Sequence, residues 1–303
     1  MKHGQARFIV GFLAFPLLLY VVFVISPFIQ AFHYALTDWT GVSSEFNYVG
    51  LQNFQNLMQD PLFLTAIKNN AVLLIGLPLV TIMLALFFAF LLNVGGSAGG
   101  AGVQGIRGNG FYKLAFFLPQ VLSVPVIAVI WAVIFNPTAD GMANSVLGRV
   151  GLGSSGWLAD PNLALYSVLW VLIWGSVGFY LVLFNAAMTA IPRDIFEAAL
   201  IDGAGRFTTF FNVTMPLLWD TIQTSWVYLA ILALDVYALV AVMTAGPGGP
   251  DNSTQVIALQ IAQNGFQFGR AGYASAMGVV LFFITLVIAL IMLRVTRRER
   301  IEY

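Results

Sequence analysis

The sequence predicts an all-α integral membrane protein with about six transmembrane helices. Hydrophobic residues make up 59% of the 303 and charged residues only 9%, a balance foreign to water-soluble chains of this length. Six stretches are apolar over the ~20 residues that a helix needs to cross the hydrocarbon core. A helix suits that setting because it satisfies all of its own backbone hydrogen bonds there.

The first stretch, 8–33, follows Lys2 and Arg7 as a secretory signal would. Its apolar part is too long for a signal core and no small-x-small cleavage site ends it, so it is expected to remain as a span. Pro16 and Pro27 each remove a backbone donor and are expected to bend or end the helix. The other spans are expected at 71–92, 114–135, 163–188, 221–244 and 273–293, giving a single membrane domain over 1–303.

Between the second and third spans, 95–110 is Gly-rich and reads as a flexible cytoplasmic linker. Gly100, Gly102 and Gly105 spell GxGxxG, but no strand precedes them, so a dinucleotide site is not expected. No GxxxxGK[ST] occurs, so this chain is not expected to cradle ATP phosphates itself.

Lys and Arg in short loops resist translocation and so set the orientation. With the N-terminus in the cytoplasm, the inner side holds ten of them: Lys2, Arg7, Arg107, Lys113, Arg193, Arg206, Arg294, Arg297, Arg298 and Arg300. Lys68, Arg149 and Arg270 are the three left outside. Both termini and the loop 190–216 are therefore expected in the cytoplasm.

Several classes fall away on composition. Net charge is zero, which offers no bulk basic field for nucleic acid. Cys is absent and the two histidines, His3 and His33, are far apart, so no metal site is expected.

The loop 190–216 is polar and amphipathic between two long apolar spans. Pro192 precedes a helix-favourable run, Asp194 and Glu197 suit the positive end of its dipole, and Gly203 suits its stop. A short helix, a turn and a second helical segment carrying Phe207, Phe210 and Phe211 toward Pro216 are expected. Glu197, Ala198 and Ala199 are followed after three residues by Gly203, and after nine more by Val213, Thr214, Met215 and Pro216. This resembles the EAA motif of ABC importer permeases, EAA-x3-G-x9-I-x-L-P. Val213 and Met215 replace its Ile and Leu with residues of similar size and apolar character.

Further segments resemble maltose-type carbohydrate-uptake permeases, nearest to the larger partner of the permease pair. They include Thr37, Asp38 and Trp39 with Val49–Phe54, Arg107–Lys113, Asn136, Pro137, Trp157, Thr244–Pro250 and Gly272–Ala276. The resemblance implies a type I ABC importer permease fold, a binding-protein-dependent inner membrane component in a bacterial plasma membrane. It implies that Glu197, Ala198, Ala199, Asp202, Gly203 and Pro216 couple the spans to an ATPase. Two ATP-binding subunits carrying ATP and Mg, a second homologous permease and an extracytoplasmic solute-binding protein are the implied partners, with lipid around them. Cofactors in this chain and catalysis by it are not expected.

An ionisable group within a span costs about 2.5–3.5 kcal/mol on insertion scales and so suggests a function. Asp235 lies midway along the fifth span, beside Tyr237. Aromatic faces stack on sugar rings, and the resemblance places a solute path on the helices flanking the coupling loop. Trp174, Tyr180, Trp226, Asp235 and Tyr237 are the candidates, with Asn185 and Ser176 behind them. For each aromatic, ordinary packing or an interfacial belt is the competing reading. Sugar or oligosaccharide is the expected solute; glycerol-3-phosphate or a glycerophosphodiester stays open, although no Lys or Arg lies mid-span to meet a phosphate. An ion-coupled secondary transporter would need a relay of ionisable groups, and Asp235 stands nearly alone.

Overall fold

A computed structural model describes residues 3–94, 108–138, 141–244, 246 and 248–295. The expected linker falls mostly outside them, with its GxGxxG and Arg107, as do Arg297, Arg298 and Arg300. Among the described residues the structure is helical, with one isolated bridge between Thr37 and Tyr48.

Helices α1 (His3–Tyr20) and α2 (Ser26–Tyr34) form the first span, joined by one wide turn at Val21–Ile25. There the Ser26 N–H donates to the Val21 carbonyl, five residues back. Pro27 explains it, because a proline offers no N–H to the carbonyl four residues back and its ring pushes that carbonyl aside. Pro16 stays inside α1 without ending it.

After α3 (Gln52–Gln59), α4 (Pro61–Val94) is 34 residues long, or about 50 Å at 1.5 Å per residue. It starts well before the expected 71, because Asp60 Oδ1 accepts the Leu62 and Phe63 N–H groups at 2.9 and 3.4 Å and Pro61 suits a first helical position.

The third expected span needs correction. The run 114–135 is not one helix: α5 (Asn109–Val121) and α6 (Val124–Ile134) meet at 99°. Leu122 and Ser123 are extended there, and Pro125 starts α6 with a missing donor. The fifth is corrected likewise. Within 221–244, α12 (Trp219–Leu234) ends at Asp235 and α13 (Tyr237–Met243) begins after Val236, with α7 (Met142–Arg149), α8 (Ala164–Ala190), α9 (Arg193–Ile201), α10 (Arg206–Thr209) and α11 (Met215–Leu217) preceding them. Last come α14 (Ile257–Ala262) and α15 (Ala271–Val295). Among the described residues, four helical stretches are long and apolar enough to cross a membrane, and two bent pairs raise the number to six if each pair is one crossing.

The chain divides into two compact units, residues 1–64 with 260–284 and residues 65–259 with 285–303. In the first, Phe28 and Phe32 of α2 pack on Phe282 of α15 at 5.6 and 5.8 Å. A loop follows α2, held by Asn53, whose Nδ2 donates to the Ala35 and Thr37 carbonyls at 2.9 and 2.8 Å. In the second unit α8 is the centre, with Val168, Leu181 and Phe184 fully buried. Helix α5 packs along α8 and α6 along α13. At the first of these contacts Gly178 admits the neighbouring backbone: a β-carbon there would run into the Phe116 carbonyl.

Candidate functional site

The expected coupling loop forms as two limbs. Pro192 caps α9 in an extended conformation, and Asp194 occupies its first turn. At the other end Gly203 has φ +76°; its N–H donates to the Leu200 carbonyl at 3.0 Å, and the Ala204 N–H to the Ala199 carbonyl at 2.9 Å. This pair of bonds closes a helix through a left-handed glycine. The EAA-x3-G spacing thereby acquires a physical meaning, since it places the glycine where the helix must stop and Ala199 as the carbonyl that receives the closing bond.

Helix α9 has two faces. Ile195, Phe196 and Ala199 turn inward, Ala199 being 8% exposed, while Asp194, Glu197, Ala198 and Ile201 point outward. Spacings of three and four residues put each set on one side. Ile201 is 86% and Leu200 57% exposed, so carboxylates, a small Ala198 and bare apolar side chains share one surface, with Asp202 exposed at its end.

The second limb is anchored. Phe210 and Phe207 lie 4.6 and 5.5 Å from Phe90 of α4. The turn Phe210–Thr214 is wide, with the Met215 N–H donating to the Phe210 carbonyl. Pro216 follows, as Pro27 follows the wide turn in the first span, and the cause is the same. Arg206–Leu217 and Trp219–Leu234 then meet at 67°.

The solute-path candidates fall into three settings. Tyr180 is buried in the core, Trp174 and Trp226 are half-buried against it, and Asp235 and Tyr237 are exposed at the break between α12 and α13. Trp174 meets Trp131 edge-on at 5.2 Å, Trp131 lies 5.0 Å from Phe135, and Phe135 stacks on Trp157 at 5.4 Å. Asn185 and Ser176 are buried on α8, and neither Asn185 Oδ1 nor Trp131 Nε1 has a hydrogen-bond partner among the described residues.

Sequence reasoning gave no role to three residues that organise this region. Asn144 accepts the Trp157 Nε1–H at 2.9 Å and donates to the Ser155 carbonyl at 3.0 Å, tying the end of the aromatic row to its loop. Asn69 and Asn70, both buried, stand on α4 just before the expected start of the second span. A polar pair inside a long apolar helix was the signal that could have found them.

Residues 92–301 match the family described as binding-protein-dependent transport system inner membrane component. The chain is 43% identical over 300 residues to the diacetylchitobiose uptake system permease protein NgcF of Streptomyces coelicolor, covering 98% of this chain and 84% of that one. It is 33% identical to the multiple sugar-binding transport system permease protein MsmF of Streptococcus mutans, over 95% of this chain and 94% of that one. Among solved structures, a bacterial ABC transporter involved in the import of the acidic polysaccharide alginate has the same fold. Its TM-score is 0.81 at 23% identity, covering 97% of this chain and 96% of the other.

Proposed function

The chain belongs to the family of binding-protein-dependent transport system inner membrane components, and from that premise we propose that it is a multi-pass permease subunit of an ATP-driven importer for a sugar or oligosaccharide. A binding protein delivers solute on the outer side. Two ATP-binding subunits supply the work, α9 receives it, and a second homologous permease completes the pore. This chain itself catalyses no reaction.

The observation that carries the reading is the two-faced α9. Its inner face seats it on its own chain, and its outer face offers Glu197 and Ala198 beside the exposed Leu200 and Ile201. A carboxylate pairs with an arginine of a partner and a small residue lets that partner approach closely. Permease relatives named for diacetylchitobiose and for multiple sugars support a carbohydrate solute. Among the described residues, Lys and Arg lie near the ends of the spans while Asp235 sits at a mid-span break, which favours an uncharged solute over a phosphate ester.

Glu197→Arg is expected to abolish uptake into vesicles and the stimulation of ATP hydrolysis by the loaded binding protein, while the subunit still inserts and accumulates. Undiminished uptake by that variant would remove the assigned role of α9. Uptake driven by a proton or sodium gradient without ATP would defeat the reading altogether.

A further inference from the structure

The break between α12 and α13 has a specific cause. In an unbroken helix the Ala233 carbonyl would accept the Tyr237 N–H. Here it accepts Asn70 Nδ2 at 3.2 Å, from a side chain on α4 that is 3% exposed. The same amide uses its oxygen as well: Asn70 Oδ1 accepts the Ile257 N–H at 2.9 Å, at the first residue of α14. Asp235 closes α12 by donating its N–H to the Ile231 and Leu232 carbonyls at 3.1 and 3.2 Å, and its own φ and ψ, −104° and 52°, are not helical.

We propose that Asn70 is a positioning residue for the solute path, replacing one helical hydrogen bond so that Asp235 and Tyr237 are held at a permanent break. A side chain inserted into the hydrogen-bond ladder is a known cause of a kink, and both atoms of this amide are used. Neighbouring Asn69 acts elsewhere, since its Nδ2 donates to the Ser253 and Gln255 carbonyls at 2.8 Å each and so holds the loop ahead of α14 without touching the break. Without the Asn70 amide, a buried carbonyl and a buried N–H are left unpaired. The nearest remedy for the carbonyl is the Tyr237 N–H, so the break closes into continuous helix and Asp235 turns away from its exposed position. The role in transport rests on the proposed reading of Asp235 and Tyr237 as path residues; the origin of the break does not.

The chain has no native Cys, so a single thiol at position 235 reports the break directly. Asp235→Cys is labelled with a water-soluble maleimide in the assembled complex and read as a mass shift of this chain, with Asn70 intact, as Asn70→Leu and as Asn70→Ala. Labelling is expected to slow about tenfold in both variants, and to stay near the parent rate with Asn69→Ala. An unchanged rate in both Asn70 variants, or an equal fall with Asn69→Ala, overturns the proposal. Should the leucine variant fail to assemble, the smaller alanine decides. With Asp235 restored, Asn70→Ala is expected to raise the KM for diacetylchitobiose uptake more than it lowers the maximal rate. Slowed labelling with unchanged KM would leave the break explained and overturn the positioning role. No uptake of that disaccharide by the parent would count against diacetylchitobiose as the sugar carried and with it against the KM shift expected here, and the labelling would still decide the origin of the break.

Discussion

At the scale of single residues, glycine carries two separate burdens in this chain. Gly203 lies in open space but at φ +76°, so any β-carbon is strained by the backbone alone. Gly203→Ala is expected to weaken the closure of α9 by about 1 kcal/mol, lowering uptake several-fold while a blot of the membrane fraction shows normal amounts. Gly178 is helical and unstrained, and its constraint is the Phe116 carbonyl against it. Gly178→Ala is expected to destabilise the fold by about 1–3 kcal/mol through overpacking, seen as a lower melting temperature of the purified complex with little effect on the ATP dependence of what survives. Asp38 makes a different kind of prediction. The backbone N–H of Asn47, and then its side-chain amide, hold the Asp38 carboxyl below its ordinary value. A depressed pKa contributes stability above the unfolded value of about 3.9, which is lost as pH falls through the folded value. Hydrogen exchange at the Asn47 amide is therefore expected to be pH-independent in its protection between about pH 5 and 8 and to lose protection only in stronger acid.

At the scale of elements, Pro27, Pro125 and Pro216 each stand where a helix widens or turns, and this is where the sequence was partly legible. The apolar runs placed the helices, because length and hydropathy alone define what can lie in lipid. The short helix α9 was legible too, since Pro192, Asp194 and Gly203 are start and stop signals read locally. The 99° corner between α5 and α6 was not, because Pro119 and Pro125 permit either a kinked span or a turn and hydropathy does not distinguish them. Nor was the break at Asp235: its cause is Asn70, distant in sequence, and no local pattern announces a side chain arriving from another helix. Pro216 tests the proline argument. Restoring its N–H with Pro216→Ala allows a bond to the Asn212 carbonyl and lets the wide turn Phe210–Thr214 relax into ordinary helix. Uptake is expected to fall further than ATP hydrolysis, since α9 would keep its face and lose its alignment with α12. Equal falls in both would show that the wide turn plays no part in coupling.

At the scale of the whole molecule, the distribution of charge must agree with the proposed direction of work. Ten Lys and Arg lie in segments expected inside and three in those expected outside, so the bias that orients spans during insertion is expected to put α9 on the side where ATP is available. The same assignment puts the loop after α2 outside, where Trp39 donates its indole N–H to the Ser43 carbonyl at 2.7 Å and Val42 projects into solvent at 95% exposure. A chain without Cys offers two clean reporters. Val42→Cys is expected to react with an impermeant maleimide added to intact cells, and Ala198→Cys only after the membrane is opened. The two outcomes are linked, because the segment between them contains an odd number of crossings only if the α5–α6 pair counts as one: Gly11–Tyr34 ends before Val42, and Pro61–Leu92, that pair and Ala164–Ala190 separate Val42 from Ala198. If α5 and α6 instead enter and leave on one side, as a 99° corner also permits, only two crossings separate the reporters and both thiols would react from the same side. Labelling of both thiols in intact cells would therefore place the corner as a re-entrant loop and deprive α9 of its cytoplasmic ATPase, labelling of both only after opening would place the corner as a re-entrant loop with the loop after α2 inside, and opposite-side labelling requires the bent pair to cross.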